Sequence, residues 1–467
     1  MLNPMHHILA QAHANPSKMA IEGGYFDTNY GQFADGVKRV ASALRGAGVR
    51  PGHVVGLRLD RGIQAVFWGA VMHEAAVAFA ASKPVIEAYG EHIDWLITDD
   101  LTLSLKDKAI RINPQWLEGL GRINPRVEVL DYPSVDAPVR LAFSSGTTGT
   151  PKGVAYSTAI LCARAEAAER TWMPAQPFFS QLGMDTPSGM LTQFWSLLGN
   201  RTYFQPAIPP IDADTINRFG IAVLKTSPSK LTDIVGFAEE KGLRWDSLQT
   251  LEIAGGTLSP VLAARFAALS PAKILYLYGS TEAGTVITGD YDPADPSRLG
   301  LPVDGTLLEI RDDAVAIQTP FMAREYWMAP EASAKAFTDG YFWPGDTGAL
   351  DQHGVFRVLG RTDELVNAAG AKVDPAWIDL KMSEYRGIAE AAAFGYKDPR
   401  TVGRELALAF VAERELSVEN LQNHLRETFQ NIRFASVMRV EQIPRNAFGK
   451  VQRNQLAAQL EASLANG

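Results

Sequence analysis

Cysteine is almost absent. Cys162 is the one thiol in 467 residues, which excludes an internal disulfide and a cysteine-built metal site. Neither sign of charge dominates: 44 Lys and Arg against 52 Asp and Glu leave a formal −8, which argues against a dedicated nucleic-acid surface. Residues 1–15 lack the charged-then-apolar order of a secretory signal. No apolar run is unbroken at membrane length. The longest, residues 62–82, is interrupted by Gln64, His73 and Glu74 and reads as a buried helix running into a strand. The eight histidines are scattered, and tandem repeats and low-complexity tracts are missing. What remains is ordinary globular composition, 46% hydrophobic and 21% charged, in a chain long enough for two or three domains. The expectation is a cytoplasmic protein with no membrane span and no nucleic-acid partner.

Periodicity organises the chain. Phe33, Val37, Val40, Ala41 and Leu44 form one helical stripe, stopped by Gly46 and Gly48, and Pro51-Gly52 turns the chain into a strand over 53–59. A short apolar run at 139–143, interrupted by Arg140, ends in a Gly/Thr loop and is followed by a helix over 158–171. Runs at 248–254 and 273–278 also end at glycines. Alternation of this kind predicts an α/β fold of helix-covered sheets, with ligands at the loops beyond the strand ends. Composition shifts near Gly360. After it come two strands (391–396 and 405–412), a helix whose Val418, Leu421, Leu425 and Phe429 share a face, and a last strand leading to Ile443-Pro444. The expected domains are 1–361, large and built of helix-covered β-sheets, and 362–467, smaller and α+β.

The loop Ser144-Ser145-Gly146-Thr147-Thr148-Gly149-Thr150-Pro151-Lys152-Gly153 carries the strongest chemical signal. Its glycines let backbone approach a ligand, its hydroxyls donate, and Lys152 supplies positive charge, a combination suited to a polyphosphate. It does not fit the Walker A register. Composition alone also allows a mobile surface loop.

This loop resembles the phosphate-loop signature of adenylate-forming enzymes, the superfamily of acyl- and aryl-CoA ligases, peptide-synthetase adenylation domains and firefly luciferase. Other motifs follow in the family's order. Tyr278-Gly279-Ser280-Thr281-Glu282 resembles Y-G-x-T-E. Residues 341–346 resemble the segment ending in Gly-Asp, with Pro344 where threonine is usual. Gly360-Arg361-Thr362-Asp363-Glu364, followed by Gly370, resembles the G-R-x-D hinge, and 444–450 is similar to the catalytic-lysine motif. The opening part, up to about residue 140, fits in pattern but is shorter than usual.

The resemblance implies roles. Thr147, Thr148 and Lys152 would hold the β- and γ-phosphates within a nucleotide site that also includes Ser144, Ser145, Gly146 and Gly149. Tyr278 would stack on adenine beside Gly255-Gly256, next to Gly279. Thr281 would meet the α-phosphate and Glu282 would bind Mg²⁺. Asp346 would accept from both ribose hydroxyls, Arg361 would assist, and Lys450 would bridge carboxylate and phosphate. The C-terminal domain would be a mobile lid turning about Asp363 and presenting Gly370 to a pantetheine arm, with Lys372 where arginine is frequent. Taken singly, each has a plainer reading: Tyr278 a core aromatic, Glu282 a helix-start carboxylate, Asp346 a turn aspartate, Lys450 a solvated lysine. Their ordered set favours the functional one.

For the acyl pocket the resemblance points to residues 178–195, 225–229 and Gly255-Gly256, with Met184 as counterpart of a gate residue. Asp185 is either a partner for a substrate amine or part of a helix start. Ser227 and Gly256 complete the candidates. The leading expectation is an AMP-forming acyl-CoA synthetase that activates an aryl or fatty acid with ATP and Mg²⁺ and transfers it to coenzyme A. One alternative passes the acyl group to the phosphopantetheine of a carrier protein. Another is an ATP/AMP-binding homologue without ligase activity. Monomer and homodimer both remain open.

Overall fold

The computed structural model describes all residues except 24–26, 145–150, 172–176, 369–370, 399–403, 413–415, 431, 446–449 and 466–467. The first sheet runs, edge to edge, Tyr326–Trp327, Lys152–Ser157, Pro138–Ser144, Val77–Ala80, Val54–Arg58, Trp95–Thr98 and Ala109–Arg111. Its inner strands are parallel, while Lys152–Ser157 returns antiparallel to Pro138–Ser144. The second, 15-stranded sheet has a parallel centre of Phe178–Ser180, Val223–Thr226, Thr250–Ala254 and Lys273–Ser280. There it turns antiparallel through Gly284–Asp290 and continues to Asp346–Leu350 and Phe356–Arg361. Central parallel strands are covered on both faces, and every residue of Val223–Thr226 is buried.

The two sheets share a core. Val139, Ala142 and Tyr156 of the first pack in one cluster with Phe178, Leu224 and Ile253 of the second, joined by side chains of the helices Thr158–Thr171 and Pro187–Leu198. The 62–82 run is the helix Arg61–His73 followed by the strand Val77–Ala80. Its polar residues Gln64, His73 and Glu74 are buried too. Glu74 is paired with Arg45 at 2.5 Å and Arg126 at 3.5 Å, as burial of a charge requires. Among the described residues no helix is long and apolar enough to cross a membrane. The expected helix is Tyr30–Ala47, opened by an Asn29 capping box. Its end corrects one detail: Gly46 lies inside the helix, and Gly48, at φ +110°, alone stops it.

The residues after 366 have cores of their own. The strands Ile388–Lys397, Arg404–Ala412 and Ser436–Arg439 form a small sheet. One cluster joins it to the helices Pro375–Met382 and Val418–Thr428, and another to the helix Arg453–Ala465. Val418 departs from expectation: it is 42% exposed because it starts the helix, just after the Ser417 cap. Leu421, Leu425 and Phe429 are buried as expected.

Candidate active site

The turn between Lys273–Ser280 and Gly284–Asp290 presents Thr281 and Glu282. Gly279 makes that turn possible, since a Cβ there would lie 1.9 Å from the Gly284 carbonyl oxygen. The plainer reading of Glu282, a helix-start carboxylate, does not hold: the chain reverses into an antiparallel strand instead. Backbone carbonyls fix the turn from behind. The Tyr156 hydroxyl donates to the Thr281 carbonyl at 2.7 Å. Arg164, buried and stacked 4.5 Å from the Tyr156 ring, donates to the carbonyls of Thr281 at 3.2 Å, Glu282 at 2.8 Å and Phe321 at 3.0 Å. A guanidinium with five donors in a planar fork suits this convergence.

Glu282 is buried, and its Oε1 accepts from the Tyr326 hydroxyl at 2.8 Å. Burial, followed by the charge of Glu282, pushes the Tyr326 phenol well above its ordinary range, so it remains a donor. Lys152 approaches the other side of this tyrosine, its Nζ 5.1 Å from the ring centroid. Among the described residues Glu282 forms no ion pair, and a buried carboxylate without a cation is an unfinished site. Mg²⁺ fits it, because that ion is commonly held by one or two carboxylates together with substrate phosphates. Ser144 pairs in register with Lys152. Ser145, Gly146, Thr147, Thr148 and Gly149 lie outside the described residues.

A second cluster joins the nucleotide candidates. The Tyr278 hydroxyl donates to Asp346 Oδ2 at 2.5 Å, and Arg361 Nη1 donates to Oδ1 at 3.1 Å. Asp346 and Arg361 are cross-strand partners, which explains why sequence neighbours of Gly345 and Gly360 meet. A carboxylate offers about four acceptor positions; Tyr278 and Arg361 use one each, and two vicinal hydroxyls fit the remainder. Burial raises the Asp346 carboxyl, opposed by the Tyr278 hydrogen bond and the charges of Arg361 and Lys450. Lys450 is exposed, and its charge reaches this carboxylate. Gly255, at φ +83°, and Gly256 are exposed at the end of Thr250–Ala254.

Arg361 also donates to Asp363 at 3.0 Å, within the turn leaving Phe356–Arg361. Arg453, three positions beyond Lys450, was not singled out by sequence reasoning. It pairs with Glu364 at 3.2 Å and Asp379 at 2.7 Å and donates to the Ala393 carbonyl at 2.6 Å. The Lys450 segment is thereby tied to the residue after Asp363 and to the C-terminal core. Lys372 lies in the strand Ala371–Val373; Gly370 is outside the described residues.

The acyl-pocket candidates are less convergent. Met184 packs in the core of the first helices, and its carbonyl accepts from Arg140 at 2.5 Å. Asp185 is exposed and accepts from Gln64 at 2.9 Å; Thr186, rather than Asp185, caps the helix Pro187–Leu198. Ser227 caps Pro228–Lys241. Gly256 lies beside Pro228, with 3.5 Å of room for a Cβ. Sequence reasoning passed over a buried pair, Lys225 and Glu252, 3.5 Å apart on adjacent parallel strands. Its signal was one charge in each of two otherwise apolar strand runs.

The fold and this arrangement define an AMP-binding enzyme. The chain belongs to that family, matching its model over residues 75–327. It is 25% identical to a probable CoA ligase, CCL9, of Humulus lupulus over 98% of this chain and 96% of that one. It is 24% identical to 2-succinylbenzoate–CoA ligase of Geobacillus sp. strain WCH70, over 96% of each. The solved structure of O-succinylbenzoate coenzyme A synthetase from Bacillus subtilis with ATP and magnesium ion has the same fold, with TM-score 0.85 at 20% identity, covering 96% of this chain and 98% of that one.

Proposed function

We propose that this protein is an ATP-dependent acid–thiol ligase: it activates a carboxylic acid as acyl-AMP, releases pyrophosphate, and passes the acyl group to coenzyme A. The carrying observation is the convergence on one site of Lys152, Glu282, Tyr278, Asp346 and Arg361, with the charge of Lys450 acting on Asp346. Carboxylate attack on the α-phosphorus brings one anion toward another, so positioning and charge neutralisation govern the barrier. Glu282, together with the phosphates, would hold Mg²⁺, which would supply part of that neutralisation. Lys152, Thr147 and Thr148 bind the outer phosphates, and Thr281 meets the α-phosphate. Tyr278 stacks on adenine beside Gly255-Gly256, Asp346 holds the ribose, and Arg361 holds Asp346.

Residues 1–361 form the nucleotide- and acid-binding domain and residues 362–467 the lid. With Lys450 toward Asp346, the lid is posed for adenylation. Lys450 bridges the incoming carboxylate and the α-phosphate. A rotation at Asp363 then withdraws it and brings Gly370 and Lys372 to the thiol channel. The thiolate attacks the acyl-adenylate carbonyl, and AMP leaves. Coenzyme A as the acceptor is supported by relatives named CoA ligases along nearly the whole chain. The test is ATP–pyrophosphate exchange across fatty, aryl and amino acids, followed by thioester formation with coenzyme A against a phosphopantetheinylated carrier protein. Exchange with one class of acid and thioester with coenzyme A are expected. Exchange without thioester on coenzyme A moves the acceptor to the carrier.

A further inference from the structure

Tyr89 ends the helix Lys83–Tyr89 and is buried. Its hydroxyl donates to the Pro151 carbonyl at 2.7 Å, across 62 positions of the chain. Burial raises the phenol above its ordinary range, so it stays a donor. Proline has no N–H, which leaves the carbonyl as the one backbone polar group by which Pro151 can be held. The next residue is Lys152.

The ring of Tyr89 is placed as closely as its hydroxyl. Its centroid lies 5.4 Å from that of Phe143 and 5.4 Å from that of Trp327, within the range of about 4.5–7 Å at which aromatic pairs attract. Phe143 and Trp327 flank Gly153, each as its cross-strand partner, one in Pro138–Ser144 and the other in Tyr326–Trp327. Gly153 leaves room for both: a Cβ there would lie 2.9 Å from the Phe143 ring and 3.4 Å from the Trp327 Cβ. Lys152 is therefore held on both sides in sequence, by the Tyr89 hydroxyl at Pro151 and by the aromatic cluster at Gly153.

Neighbouring residues of a strand face opposite sides of the sheet. Trp327 meets the Tyr89 cluster on one side. On the other, the Tyr326 hydroxyl meets Glu282 at 2.8 Å, and its ring lies 5.1 Å from Lys152 Nζ. The strand Tyr326–Trp327 thus joins the cluster to the two charged groups assigned to Mg²⁺ and to the outer phosphates.

We propose that Tyr89 is a positioning residue for Lys152 and sets the affinity of the site for the outer phosphates of ATP separately from its affinity for adenosine. The assignment rests on the ligase reading above, in which Lys152 binds those phosphates. Tyr89 acts through the Pro151 carbonyl. AMP carries neither outer phosphate, so the triphosphate alone registers the loss of this contact.

The test titrates the wild type, Tyr89→Phe, Tyr89→Leu and Asp346→Asn with ATP and Mg²⁺, and separately with AMP, by calorimetry in the absence of acid. Tyr89→Phe keeps the ring and should weaken ATP by about 3–10-fold, the scale of one hydrogen bond, with AMP unmoved. Tyr89→Leu, which also removes the ring contacts, should weaken ATP further, toward about 10²-fold. Asp346→Asn should weaken both nucleotides alike, because both carry the ribose. In ATP–pyrophosphate exchange the KM for ATP should rise in Tyr89→Phe, while thioester formation from a supplied acyl-adenylate keeps its wild-type rate. An unaltered ratio of ATP to AMP affinity in Tyr89→Phe overturns the assignment. So does a parallel loss of both nucleotides with a lowered Tm, the mark of a merely structural tyrosine. Absence of exchange with every acid in the wild type defeats the ligase reading; the two titrations then still decide the role of Tyr89.

Discussion

The Tyr278 hydroxyl donates to the Asp346 carboxylate at 2.5 Å, joining the last parallel strand of the large sheet to a hairpin that begins 66 residues after Ser280. With Arg361 on the other oxygen, this pair fixes the carboxylate that we propose receives the ribose. Asp346→Asn should raise the KM for ATP by about 10–100-fold, the cost of a lost charge-assisted contact. Tyr278→Phe keeps the ring and should cost less, roughly 3–10-fold. Steady-state kinetics with ATP varied checks both, and an unchanged KM in Asp346→Asn would remove it from the nucleotide site.

Arg164 holds the carbonyls of Thr281 and Glu282, and no reacting group. Arg164→Met should therefore lower kcat for adenylation by about 10²-fold and raise the Mg²⁺ concentration needed for half-maximal exchange. Arg164→Lys, which restores the charge without the fork, should recover only part of the rate. A Mg²⁺ dependence identical to wild type would reduce Arg164 to a purely structural role.

Much of this architecture was legible in the chain. The stripe of Phe33, Val37 and Leu44, the helix at 158–171 and the strand runs ending at glycines all follow from periodicity, because burial imposes 3.6- and 2-residue repeats. The family motifs marked Tyr278, Glu282, Asp346 and Lys450. Their supports were not legible. Arg164 and Tyr156 are ordinary letters in a helix and a strand, and their value comes from packing across more than a hundred residues onto one turn. Arg140 read as an interruption of an apolar run and the pair Lys225–Glu252 was passed over; only the sheet register shows what each faces. The plainer reading of Glu282 as a helix start does not hold, because Gly279 permits a tighter reversal than local propensity indicates.

The Lys225–Glu252 pair is fully buried, and neither Glu252 oxygen has a hydrogen-bond partner. Burial raises the Glu252 carboxyl to about 7 and lowers the Lys225 ammonium, with each partner's charge opposing. Removing one partner strands a charge. Glu252→Leu should cost about 3–5 kcal/mol, and Lys225→Met combined with Glu252→Leu should recover most of it. Denaturant unfolding of the two variants decides; a double variant as unstable as the single contradicts this account.

Asp374 caps the helix Pro375–Met382 beside Gly360, and burial raises its carboxyl from 3.8 to about 6. Between those values the folded chain binds the proton more tightly than the unfolded one. Its contribution to stability therefore falls as pH rises through this window and is constant above it. Asp374→Asn keeps a capping side chain and should gain of order 1 kcal/mol at pH 8 after solvent screening, with little change at pH 4. Chemical denaturation at the two pH values checks the sign.

The most direct measurement separates the two half-reactions in Lys450→Ala. The account predicts that carboxylate-dependent ATP–pyrophosphate exchange falls by about 10²-fold or more, while thioester formation from a supplied acyl-adenylate and coenzyme A stays close to wild type. Equal loss of both half-reactions, or exchange that survives without Lys450, would contradict it.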